Sequence, residues 1–186
     1  MTTAQAPQEA RWRPMQRQDL AAVNDLAHRI HPRYQEAPDV FEEKLQFFPD
    51  GCFTLQGADG GATGYCFSHP WMRGQPPALD RLLGQLPLRP DTYFIHDLAI
   101  DQALRGQGLA VRLLPVMATA AKRHGLGHMT LIAVNASEDF WSKAGFAVTA
   151  DPALQRAVRS KYSDEAVHME MQLDALFIAE ADKMRG

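Results

Sequence analysis

Arg105-Gly106-Gln107-Gly108-Leu109-Ala110 separates a run that reads as a strand from a run that reads as a helix, and this junction decides the fold. Ahead of it, Tyr93-Phe94-Ile95-His96-Asp97-Leu98-Ala99-Ile100 is rich in aromatic and aliphatic residues and is bounded by Pro90 and Asp101. Behind it, Leu109, Leu113, Met117 and Ala120 recur at helical spacing until Gly125 supplies a stop. A glycine-rich turn opening a helix aims several unpaired backbone N–H groups at one spot, and the helix dipole adds positive potential there. A phosphate-bearing ligand is the expected occupant.

Downstream, His128 to Val134 is almost all apolar, as a central strand buried on both faces must be. Strand, helix and strand therefore form a right-handed crossover. Ser137 is placed to cap a short helix reaching Ala144, and Gly145 ends it before strand resumes at Phe146 to Thr149. Asp151 to Asp164 reads as a polar connection to a last strand, Ala166 to Leu173, with Val167, Met169 and Met171 alternating. Ala175 to Met184 has the pattern of a short amphipathic helix.

Upstream, residues 1–10 read as a flexible tail and 11–186 as one domain. Arg11 to Pro14 suits a short first strand. Asp19 then caps a helix striped by Leu20, Val23, Leu26, Ala27 and Ile30, which ends before Pro32. A loop from His31 to Pro38 leads to a second helix, Asp39 to Phe47. Cys52 to Gln56 and Ala62 to Ser68 make a hairpin; a symmetric register about Asp59 sets Cys52 opposite Cys66. From His69 to Pro90 the chain is rich in proline and glycine, with one short helix expected around Leu79 to Leu86. An insertion this long between strands reads as a functional loop or cover. The fold class is a mixed α/β sheet, antiparallel at first and parallel across the crossover.

Composition excludes little but points one way. Lys and Arg number 19 against 22 Asp and Glu, a net charge of −3 that disfavours nucleic acid or an anionic membrane as partner. No apolar run approaches the ~20 residues a bilayer span needs, and Met1 to Ala10 lacks a hydrophobic signal core. The expected location is cytoplasmic, where the two cysteines stay reduced. No His/Asp/Glu cluster has metal-ligand spacing, so no metal is expected.

Two readings of the glycine turn fail on residues. A nucleotide P-loop needs Lys followed by Ser or Thr after the last glycine, where Leu109-Ala110 stands. A dinucleotide turn needs a third glycine and an acid at the end of the second strand, where Val134-Asn135 stands. The run 105–110 instead resembles the Q/R-x-x-G-x-G/A signature of the GNAT superfamily of acetyl-CoA-dependent N-acetyltransferases. Asn135 at the end of the next strand, Phe140-Trp141-Ser142-Lys143-Ala144-Gly145-Phe146, and the order of elements from Arg11 to Leu173 extend the resemblance to nearly the whole chain.

The resemblance implies a GNAT-like fold with the parallel pair splayed around a coenzyme A site. It assigns the pyrophosphate to the backbone N–H groups of Gln107, Gly108, Leu109 and Ala110, with Arg105 and Gly106 shaping the approach. Leu98, Ala99 and Ile100 are expected to pair with the pantetheine arm as an added strand. Asn135 is expected to hold the pantetheine amide, Phe140 and Trp141 to pack along the arm, and Ser137 and Lys143 to complete the acetyl-CoA site.

In such enzymes a neutral amine attacks the thioester directly. A backbone N–H near Leu98 is the expected oxyanion donor. His96 and Asp97 interrupt an apolar strand where a base is expected; His96 is favoured, because imidazole titrates near neutrality. Adjacent strand residues point to opposite faces, so one faces the substrate and the other is structural unless a bulge intervenes. The tyrosine that commonly acts as acid is replaced by Trp141, leaving Ser137, Tyr162 or water for that role. Tyr34, His31, His69, Trp71 and Tyr162 are candidates to line the acceptor pocket, or to seal the core edge. His28, His124, His128 and His168 are expected on helix surfaces or strand ends.

The expected activity is acetyl transfer from acetyl-CoA to a primary amine, of a small molecule, within a ternary complex. Acetylation of a protein N-terminus or lysine, and a silent coenzyme A-binding module, are the alternatives. A homodimer is compatible with the resemblance.

Overall fold

The computed structural model describes residues 9–173. The tail expected at 1–10 lies almost wholly outside these residues, and the helix expected at Ala175 to Met184 lies wholly outside them.

Seven strands form one mixed sheet. They are β1 (Arg11–Pro14), β2 (Cys52–Gln56), β3 (Ala62–Trp71), β4 (Thr92–Ile100), β5 (His128–Ala133), β6 (Ala147–Val148) and β7 (Val167–Gln172), in the spatial order β1-β2-β3-β4-β5-β7-β6. Every neighbouring pair is antiparallel except β4 and β5, which are parallel. Helices α1 (Leu20–Ile30) and α2 (Pro38–Phe47) cover one face, and α3 (Leu109–Arg123) covers the other. Helices α4 (Glu138–Lys143) and α5 (Pro152–Lys161) flank β6. Among the described residues no helix is long and apolar enough to cross a membrane.

The apolar stripes explain the layers. Leu113, Leu114, Met117, Ala118 and Ala121 of α3 are buried against Cys66, Tyr93, Ile95, Met129 and Leu131. Val23, Leu26 and Ala27 of α1 are buried with Phe41 against Cys52, Tyr65, Phe67 and Ala99. Phe41 stacks on Phe67 with centroids 4.7 Å apart. Burial of these side chains at roughly 1.5–3 kcal/mol each is the main force holding both helical layers to the sheet.

Several local expectations change. In the hairpin, Gln56 pairs with Ala62 as the symmetric register requires, but the ladder then slips by one residue, so Phe53 faces Cys66 and Cys52 faces Phe67. A slip of one residue turns a side chain to the other face. Cys52 thus packs beneath α1 and Cys66 beneath α3, both as free buried thiols. β3 also runs on through His69 and Pro70 to Trp71, because those residues continue the ladder with β4. No helix forms around Leu79 to Leu86; that segment is held as an extended wrap by hydrogen bonds to α2 and the loop before it. The polar connection at Asp151 to Asp164 contains α5, whose Asp151 accepts from the N–H groups of Ala153 and Leu154 ahead of Pro152 at the first turn. His168 is buried in β7, hydrogen-bonded through Nδ1 to Thr149.

Asp19 does not cap α1. Its carboxylate turns back to form two 2.7 Å bonds with the Arg13 guanidinium and accepts from the Gln16 N–H and the Thr54 hydroxyl. This fork ties β1 and β2 to the start of α1, and so sets where the far end of α1 delivers His31. Asp19→Ala strands the Arg13 and Thr54 donors and is expected to lower stability by about 2 kcal/mol. An unchanged urea midpoint in the variant contradicts this account.

Candidate active site

A bulge in β4 creates the site. Phe67 pairs with Asp97 and Ser68 with Ile95, so His96 is an extra residue without a partner on β3. Simple alternation would send His96 and Asp97 to opposite faces. With the bulge, both line one cavity of about 50 Å³, together with His31, Tyr34, Glu36, Leu79, Phe94, Ile132, Val134 and Tyr162.

Two histidine–carboxylate pairs face this cavity. His96 Nε2 lies 2.7 Å from Glu36 Oε2, with both side chains almost wholly buried. Burial alone would push the Glu36 carboxyl up. The charge and hydrogen bond of His96, helped by Lys44 and by the Asp80 N–H, prevail and hold it at about 2. His96 Nδ1 is buried and has no protein partner among the described residues. In the second pair, His31 Nε2 lies 3.3 Å from Asp97 Oδ1, while Asp97 Oδ2 accepts a 2.7 Å hydrogen bond from the Tyr65 hydroxyl. Burial works against the charged imidazole of His31, but the Asp97 carboxylate outweighs it and the pKa is raised.

Glu36 was not among the residues singled out from the sequence. It sits in an aperiodic loop, and no local signal marks a loop glutamate as the partner of a histidine on β4. Lys44 is also completely buried, its Nζ donating to the Val40 carbonyl 3.3 Å away. Its pKa is lowered by burial, which the nearby Glu36 offsets only in part.

The segment 72–91 between β3 and β4 runs beside the cavity and contributes Leu79 to its lining. Asp80 N–H donates to Glu36 Oε1 at 3.1 Å, and Asp80 Oδ1 accepts from the Ala37 N–H at 2.7 Å. Asp80 holds a left-handed φ of 52° in this clasp. The Tyr162 hydroxyl donates to the Pro77 carbonyl at 2.6 Å, and the Tyr34 hydroxyl to Ser163 Oγ at 3.0 Å. Three distant segments thus meet at one end of the sheet. His69 and Trp71 lie outside this lining: His69 is fully buried in β3 among Trp71, Phe94 and His96, and Trp71 donates its indole N–H to Gln75. Burial above all drives the His69 pKa down to about 3.

Beside the cavity the sheet opens. Parallel pairing runs only from Tyr93↔Met129 to Ile95↔Leu131, so the edge of β4 from His96 to Ile100 has no strand on the β5 side. Leu98, Ala99 and Ile100 remain paired to β3 on the other edge. The splay leads to the glycine turn, where Gly106 and Gly108 have φ of 78° and 71° and Gly108 begins α3. A Cβ at either glycine meets nothing within 4 Å. The left-handed backbone, not crowding, therefore demands glycine. Arg105 folds back to donate from Nε to the Ile100 carbonyl, Gln107 is exposed, Leu109 is buried, and Ala110 packs against Leu55, Ile100 and Leu109. The first-turn N–H groups of α3 have no intrahelical acceptor and face outward from the turn.

Across the splay, Asn135 and Ala136 follow β5 with left-handed φ of 53° and 55°. Asn135 Nδ2 lies 3.3 Å from His31 Nδ1. Ser137 precedes α4, but its side chain makes no cap hydrogen bond, a change from the expected capping role. Phe140 and Trp141 pack edge to face at 4.9 Å; Trp141 is buried against Phe146, and Lys143 is exposed. Among the described residues no group of three or more His, Cys, Asp or Glu could hold a metal ion.

Comparison with known proteins places this geometry. No curated protein matches the chain in sequence. Among solved structures, Ard1 from Thermoplasma volcanium superposes with a TM-score of 0.67 at 16% identity, over 89% of this chain and 98% of that one. The GphF GNAT-like decarboxylase, solved with isobutyryl-CoA, superposes with a TM-score of 0.67 at 15% identity, over 88% and 99% of the two chains. The N-acetylglutamate synthase of Neisseria gonorrhoeae, solved with coenzyme A and N-acetyl-glutamate, gives 0.63 at 14% identity, over 89% of this chain and 35% of that one. At these identities the likeness is one of fold. The model of the acetyltransferase (GNAT) domain matches residues 78–173, a span that runs from the clasp at Asp80 through β4 and the glycine turn to the end of β7. The chain belongs to the GNAT acetyltransferase family.

Proposed function

We propose that this protein transfers an acetyl group from acetyl-CoA to the primary amine of a small molecule, in a ternary complex and without a covalent enzyme intermediate. The supporting observation is the cavity at the bulge, bounded by His96–Glu36 and His31–Asp97 and adjoining the open edge of β4. A cavity roofed by residues 72–91 suits a compact amine better than an extended peptide, which needs an open groove.

The residues present fit coenzyme A. The open space over Gly106 and Gly108, with the N–H groups of Gln107 to Ala110, is a cradle for a pyrophosphate. The unpaired edge at Leu98 to Ile100 offers backbone partners to an extended pantetheine arm. Asn135 and Ser137 bound the arm on the β5 side; Phe140 with Trp141 supports it from below, and exposed Lys143 adds positive charge. Bound acetyl-CoA supplies an activated acyl carbon.

The chain's own residues do the rest. His96 accepts a proton from the amine; Glu36 fixes the imidazole through Nε2, which directs Nδ1, the free nitrogen, to the substrate. The Leu98 N–H meets the negative charge that develops on the carbonyl oxygen, as a fixed dipole that needs no reorganisation. Tyr34 and Tyr162 shape the acceptor pocket; His69 and Trp71 support the strand beneath it. Burial pushes the Tyr162 phenol up, so it keeps its proton and positions the roof rather than donating an acid proton. A single domain over 11–186, a cytoplasmic location and a homodimer are compatible with this reading.

Three outcomes are expected. Gly108→Glu places a bulky acid in the cradle and should weaken coenzyme A binding at least ~30-fold by calorimetry; unchanged affinity in a folded variant rejects the cofactor site. His96→Ala should cut kcat about 100-fold, read by thiol release across a panel of small amines and peptides, with coenzyme A affinity retained. Tight coenzyme A binding with no transfer to any amine would instead identify a silent binding module. The third concerns pH. Because the folded Glu36 carboxyl lies at about 2, below its ordinary 4.5, its stabilisation is complete above the ordinary value and fades as pH falls toward 2. Wild type should therefore lose more stability than Glu36→Gln between about pH 6 and about pH 3 in urea titrations.

A further inference from the structure

His31 lies where the two halves of the splay come closest to sharing a side chain. It is the residue that ends α1, its N–H bonded to the Ala27 carbonyl, so the negative end of the helix dipole faces it. One ring nitrogen lies 3.3 Å from Asp97 on β4 and the other 3.3 Å from Asn135 beyond β5. These contacts span the gap that opens once strand pairing stops at Ile95↔Leu131. Nε2 is buried yet makes no well-aligned hydrogen bond among the described residues, so the proton it carries is held by the charge of Asp97 without being consumed by it. Trp141 is packed into the core between Phe140 and Phe146, and an indole N–H does not release a proton near neutrality.

We propose that His31, held by Asp97 and Asn135, is the catalytic acid that protonates the departing thiolate. The inference rests on the reading that the acyl donor lies in the splay. The amine nitrogen forms its bond to the carbonyl carbon and gives its proton to His96. The carbon–sulfur bond breaks, its electron pair stays on sulfur, and the Nε2 proton of His31 moves to that sulfur. The products are the amide and the free thiol, and His31 and His96 return to their starting states by exchanging one proton with solvent. Groups facing His31 act in both directions. Burial, Arg105 and the Asn135 amide nitrogen, a donor that faces Nδ1, oppose its charge, while Asp97 and Glu36 favour it. The balance keeps the imidazole protonated to higher pH than an exposed histidine, which suits an acid working near neutrality.

The test uses the whole protein and two probes, coenzyme A and desulfo-coenzyme A, which lacks the sulfur. Wild type should bind coenzyme A several-fold more tightly than the desulfo form by calorimetry, and His31→Gln should bind the two about equally. In steady state, wild type should show a fall in rate at alkaline pH, and His31→Gln should lose that fall and lose kcat by roughly 10- to 100-fold with little change in the KM for acetyl-CoA. Asp97→Asn should shift that alkaline limb to lower pH, an effect a merely structural role would not produce. Equal discrimination between the two probes in wild type and in folded His31→Gln overturns the inference while leaving the donor site intact. Failure of wild type to bind either probe overturns the donor-site reading and this inference with it.

Discussion

Between Phe67 and Ser68 the ladder of β3 and β4 gains one residue on the β4 side, and the side chains around the active site are arranged about that residue. The bulge lets His96 and Asp97 face the same layer. Each then needs a partner, because a buried imidazole or carboxylate without one carries a desolvation cost of several kcal/mol. The partners come from the far end of α1 and the loop behind it: His31 for Asp97 and Glu36 for His96. α1 reaches that place because its start is tied to β1 and β2 by the fork at Asp19. A local irregularity in one strand therefore governs how a helix, a loop and an insertion meet.

The two halves of the site are built on different principles. The proposed donor side is backbone: the left-handed turn at Gly106 and Gly108, the first turn of α3 and the open edge of β4. Few side chains enter, and a Cβ at the glycines meets open space. The proposed acceptor side is lined by side chains from the α1–α2 loop, the 72–91 insertion, β4, and the end of α5. Their mutual bonds, Asp80 to Glu36 and Ala37, Tyr162 to Pro77, and Tyr34 to Ser163, tie these segments together around the cavity.

That division accounts for what was legible in the chain. The crossover from Tyr93 to Val134, the alternation of Val167, Met169 and Met171, and the stripes of α1 and α3 are periodic, and periodicity survives folding because it states which face must be dry. Helix α5 carries little periodic signal because only Leu154 and Val158 mark its dry face, although Asp151-Pro152 is a recognisable helix start. The hairpin register failed at a slip that no turn residue announces; the symmetric pairing holds at Gln56↔Ala62 and is lost one step later. Asp19 was assigned to the nearer helix end, whereas the Arg13 guanidinium offered it two charged bonds.

By itself the sequence determined the mixed sheet, the crossover, the glycine turn and the residue types available for proton transfer, since each depends on neighbours within a few positions. Only the tertiary structure decided that His96 and Asp97 share a face, that Glu36 and His31 complete them, and that Asp80 and Tyr162 anchor a roof. The physical reason is range. Backbone conformation and amphipathic spacing are written within one element, but the pairing of buried charges is settled between elements tens of residues apart, where burial makes an unpaired group too costly to keep.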